Sequence, residues 1–83
     1  NVKIFPNPVS STEMLTVLLD DALTGSVNLT LCSVTGQVIS HTAINKAEQM
    51  LELKLDLKRC KRGIYLLHAE NNGLSTTQKV IIQ

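Results

Sequence analysis

The chain has 83 residues, which is one domain's worth. Eight Lys and Arg stand against seven Asp and Glu, a balance that gives no general electrostatic argument for a nucleic-acid partner. No run of about 18 apolar residues occurs, so no segment reads as a membrane span. The sequence starts at Asn1 without Met and carries no signal-peptide pattern, and it is expected to be a piece of a longer protein. A domain this short buries only about 60–65% of the surface its unfolded chain exposes, so most of its apolar residues are needed inside. Phe5 and Tyr65 are its aromatics, which leaves core volume to Leu, Ile and Val. The β-branched members of that set favour strands.

In chain order the pattern has period two, with turn signals at short intervals. Val2 to Phe5 suggests a short first strand. It runs into Pro6-Asn7-Pro8, where two prolines remove backbone donors and fix φ, and Asn7 is pushed toward extended backbone by the proline after it. Residues 13–19 place Leu15, Val17 and Leu19 on one face of a second strand. Asp20-Asp21 and Thr24-Gly25 mark a connection. Residues 26–33 alternate Val27, Leu29 and Leu31 with Asn28 and Thr30, and Ser33 to Gly36 forms a tight turn. A fourth strand is expected over 37–44, with a polar connection from Asn45 to Gln49.

Leu51, Leu53, Leu55 and Leu57 alternate with Glu52, Lys54 and Asp56. A helix would scatter these leucines around its circumference, whereas a strand puts them on one face. Gly63 opens a sixth strand through Glu70. Asn72-Gly73 is a strong hairpin signal because a type I′ turn needs positive φ at both central residues. The last strand is expected from about Leu74 to Ile82. Seven short strands without a helix predict an all-β, immunoglobulin-like antiparallel sandwich that occupies residues 1–83 as one domain. Open sheet edges could pair with a second copy to give a homodimer.

Chemistry is sparse. Cys32, Cys60, His41 and His68 could converge on zinc only if the fold gathered them, because their spacing forms no ligand motif. A Cys–His nucleophile pair faces the same requirement, and a thin sandwich offers little room for a substrate cleft. Asp20-Asp21 sits in a turn, where Asp ordinarily caps the backbone. The cysteines read as two buried thiols, with a disulfide the alternative. No catalytic residue, metal or cofactor is expected. The one concentrated feature is Lys58-Arg59-Cys60-Lys61-Arg62, four cations in five residues. It is either a solvated loop or a docking patch for an acidic partner or an anionic glycolipid. It lacks the interleaved aromatics that would stack nucleic-acid bases.

Three segments taken together resemble the C-terminal sorting domains of the type IX secretion system. These are Val2 to Val9 with its Pro-Asn-Pro, Val27 to Val38 with Gly36 in its turn, and Leu55 through Gly63-Ile64-Tyr65 to the closing Lys79-Val80-Ile81-Ile82. Cys60 stands where the family usually has Leu, Ser33 where an Asp is common, and Cys32 where an aromatic is frequent. The resemblance implies a non-catalytic signal on a secreted protein of Bacteroidetes-type bacteria. Such a protein passes through the periplasm to the outer-membrane surface or the medium. It implies two partners: an outer-membrane translocon that binds the folded tail, and a sortase-like peptidase that usually removes it and joins the cargo to anionic lipopolysaccharide. Some relatives instead retain the domain for docking, and a retained docking or spacer module is the alternative. The recognition residues implied are Pro6, Asn7, Pro8, Gly36, Gly63, Tyr65, Lys79, Val80, Ile81 and Ile82, with Lys58, Arg59, Lys61 and Arg62 as an accessory patch.

Overall fold

In the computed structural model, residues 2–47 and 49–83 are described. Seven strands follow in chain order: β1 (Val2–Phe5), β2 (Met14–Leu19), β3 (Gly25–Ser33), β4 (Val38–Lys46), β5 (Leu51–Asp56), β6 (Gly63–Asn71) and β7 (Leu74–Ile82). They form a three-stranded sheet of order β1-β2-β5 and a four-stranded sheet of order β4-β3-β6-β7. Every neighbouring pair is antiparallel. This is the expected immunoglobulin-like sandwich.

The alternation sets which face each strand buries. Leu15, Val17 and Leu19 of β2 meet Val27, Leu29 and Leu31 of β3, and Tyr65, Leu67 and Ala69 of β6, in one core. The leucines of β5 are only half-buried, because β5 is an edge of its sheet. Leu57, just past that strand, is fully buried and carries the chain into the turn before β6.

Two local features fix the register. Asn72 and Gly73 take φ of 51° and 82°, as a type I′ hairpin requires, and they pair β6 with β7 from Asn71↔Leu74 to Gly63↔Ile82. The buried Asn71 amide donates to Thr24 O at 2.6 Å and Ser26 O at 2.8 Å, tying this hairpin to the start of β3. On the other edge the register shifts between Leu31 and Cys32, a bulge that interrupts the free β4 ladder.

β4 runs two residues beyond the expected end. Asn45 and Lys46 pair with Ser26 and Gly25, and Lys46 is buried at 3% exposure. A long alkyl stem can lie along apolar surface while its ammonium finds a polar partner. Here Lys46 Nζ donates to Gln49 O at 2.6 Å, which holds the connection into β5 against the sandwich.

Leu29→Ala is expected to cost about 2–5 kcal/mol in urea unfolding, because Leu29 is 2% exposed and its removal leaves a cavity. Leu74→Ala, at a site 67% exposed, should stay within about 0.5 kcal/mol of the parent.

Candidate recognition site

The segment after β1 crosses from one sheet to the other. Pro6 and Pro8 both follow cis peptide bonds. Between them, the exposed Asn7 side chain reaches the outer edge of β7. Its Nδ2 donates to Lys79 O at 2.8 Å, and its Oδ1 accepts the Ile81 N–H at 3.0 Å. A carboxamide carries the donor and acceptor of one peptide unit, so Asn7 pairs with β7 as a strand residue would.

The main chain continues that pairing. Val9 N donates to Ile81 O at 2.9 Å, Gln83 N donates to Val9 O at 2.8 Å, and Ser11 N donates to Gln83 O at 3.2 Å. Val9 and Ile82 form a parallel bridge. Ser10 and Glu13 close the loop behind them, with Glu13 Oε1 accepting the Ser10 N–H at 3.0 Å. At the middle of β7, Gln78 Nε2 donates to Val2 O. The prolines prevent regular strand pairing in the crossing, and Asn7 supplies it with a side chain instead.

The fold therefore brings together Pro6, Asn7, Pro8, Lys79 and Ile81, which lie at opposite ends of the sequence. Lys79 is exposed and Ile81 half-buried, both on the outer face. Val80 and Ile82 point inward at 0% and 2% exposure and belong to the core. The outward carbonyl of Lys79 and both outward backbone groups of Ile81 are bonded to the crossing segment.

The other expected residues lie at the same end of the sandwich, where Gly63 and Tyr65 pair with Ile82 and Val80. Gly36 N donates to Ser33 O at 2.9 Å in the β3–β4 turn. Gly63 opens β6 at φ 153°, backbone that a side chain rarely adopts. Tyr65 buries its ring at 8% exposure, and its hydroxyl donates to Lys61 O at 2.8 Å. That bond anchors the basic loop from the β6 side. Asp56 Oδ1 accepts the Lys58 N–H at 2.9 Å, and Cys60 N donates to Leu57 O at 2.9 Å, anchoring it from the β5 side. Lys58, Arg59, Lys61 and Arg62 are all exposed on this pinned loop, with Cys60 turned into the core.

The sequence model of the secretion system C-terminal sorting domain matches residues 3–83. The chain belongs to that family. No curated protein matches it. The domain is accordingly a sorting signal for type IX secretion, which implies interaction with that machinery and export to the cell surface or beyond.

The remaining candidates in the sorting domain have structural roles or stand apart. Among the described residues, no three of His, Cys, Asp and Glu gather where a metal could be held. Asp20 Oδ1 accepts the Ala22 N–H at 3.0 Å, and this backbone bond holds its carboxyl below the usual range. Both cysteines are free, and they differ in environment. Cys60 is buried as expected. Cys32 is only half-buried, because it falls on the outward phase of β3, opposite Val38 and Leu66.

Two measurements check this description. Asn7→Ala should lower stability by about 1–2 kcal/mol and accelerate hydrogen exchange at the Ile81 amide; unchanged exchange there would disprove the pairing. In native protein at pH 8, Cys32 should react with a thiol reagent well before Cys60. Burial raises the Cys60 pKa, which keeps it protonated, and the fold shields it.

Proposed function

We propose that the outer-membrane translocon reads this domain in its folded form, through its outline and the outward side chains of its first crossing and last strand. The reading rests on the family match across residues 3–83. The geometry favours a folded signal over a linear one, because alternate residues of the terminal run lie in the core. Asn7 also places the Pro-Asn-Pro segment beside Lys79 and Ile81 only once the sandwich has formed.

In this reading the domain itself catalyses nothing. The cargo reaches the periplasm, and the translocon binds the tail. A sortase-like peptidase then removes it near its start and joins the cargo to anionic lipopolysaccharide. The exposed cations of the basic loop add affinity for an acidic partner or that glycolipid.

The test is a reporter carrying a signal peptide and ending in these 83 residues, expressed in a bacterium with a working type IX system. The reporter should reach the surface or medium, and the mass of the exported product should show loss of the tail. Deleting Lys79 to Gln83 should leave it in the periplasm. A core variant with an intact terminal strand, Leu31→Asp, should do the same. Normal delivery of either variant would defeat the folded-signal reading, and an undelivered parent fusion would leave only a spacer.

A further inference from the structure

The outer face of the four-stranded sheet is organised in rows, and one corner departs from the polar surface expected of a solvated sheet. Register places Val38, Cys32, Leu66 and Lys79 side by side across β4, β3, β6 and β7. Ile64 and Ile81 pair in the row beyond. These residues all lie on the outward phase, since Tyr65, Leu67, Val80 and Ile82 point into the core. Val38 is 58% exposed and Ile64 46% exposed; Cys32, Leu66 and Ile81 are half-buried. Four strands spaced about 4.8 Å apart make this row about 14 Å wide.

Charge and polarity delimit the patch. Lys79 ends the row, and Lys61 and Arg62 immediately precede β6 next to Ile64. The next row inward is polar: His41, Thr30, His68 and Thr77, with His68 Nδ1 and Thr77 Oγ1 2.9 Å apart. The Glu70 carboxylate on this face lies one row further still, beside Asn28 and Ser75. The corner is thus an apolar strip with a cationic rim. Specific protein interfaces have this anatomy, with an apolar centre inside a polar border.

We infer that this corner is the face by which the sorting domain docks on its protein partner, whose matching surface has an apolar centre bordered by carboxylates. The inference rests on the sorting reading above and adds where the contact falls. A second copy fits poorly, because a self-contact through this patch brings together two rims that both carry Lys79, Lys61 and Arg62 and offers these cations no carboxylate from the patch itself. A lipid surface also fits poorly, because the apolar side chains lie on a sheet face beside a polar row and do not project from a loop tip.

The experiment compares single substitutions in the exported fusion: Ile64→Glu and Val38→Glu in the strip, Lys79→Glu at the rim, and Ala43→Glu two rows away on the same face. Thermal melting of each purified domain shows which variants fold, and two separate strip positions guard against one that does not. Export of the folded strip and rim variants should fall at least about tenfold, equivalent to about 1.4 kcal/mol of binding. Ala43→Glu should export like the parent. Parental export of folded Ile64→Glu, Val38→Glu and Lys79→Glu would overturn the assignment, and so would an equal loss in Ala43→Glu. It is also overturned if the substitutions change only self-association in sedimentation, or only binding to phosphatidylglycerol vesicles, while export continues. An unexported parent fusion instead defeats the sorting reading itself, and the docking face with it.

Discussion

The join between the first segment of the domain and its last strand depends on a side-chain amide acting as a piece of strand. Asn7 bonds to Lys79 O and the Ile81 N–H, groups 72 and 74 positions away in the chain. Two prolines force the main chain out of the first sheet, and a strand edge left bare at the end of β7 would be open to stray pairing. Asn7, Val9 and Ser11 cover that edge and join the first segment of the domain to its last. This closure exists only when both sheets are in place. No partial structure lacking β7 can form it, and no isolated terminal peptide can display it.

The terminal strand shows how period two divides a motif. Lys79-Val80-Ile81-Ile82 looks like one apolar tail behind a cation, yet its residues have two separate jobs. Val80 and Ile82 fill the core between the sheets, while Lys79 and Ile81 face outward. Substitution at the first pair acts through folding, and at the second through surface chemistry. Loss of export by itself therefore does not identify a contact residue; a measure of stability must accompany it.

Much of this fold is legible in the sequence because alternation, turn chemistry and composition agree. The four leucines from Leu51 to Leu57 mark β5 and its continuation, Asn72-Gly73 marks the last hairpin, and all seven expected strands form, with β4 running on to Lys46. What escapes such reading is long-range. Nothing local to Asn7 reveals that its amide will meet β7. The polarity of Asn45 and Lys46 argues for a loop, but the pairing with Gly25 and Ser26 and a carbonyl at Gln49 make burial of that lysine possible. Cys32 belongs to a residue type usually found inside, yet its position on β3 turns it outward. The apolar corner is hidden for a related reason. Its residues come from four strands, and only the register shows that Val38, Cys32, Leu66 and Lys79 are neighbours.

A signal read in its folded form, as proposed above, would couple export to folding. A domain of this size holds a stability of only about 5–15 kcal/mol, so the loss of one core leucine removes a large share of it. A linear tail would be displayed equally by folded and unfolded chains and could not discriminate between them. Here the outward residues reach their relative positions only through the sheet register, and the Pro-Asn-Pro crossing reaches β7 only through the closed sandwich. The absence of a reactive centre from this reading follows from the same economy of parts. With 83 residues, most apolar side chains are committed to the core, and in the proposed reading the surface that remains carries its information as the placement of a few apolar and cationic groups on one sheet face.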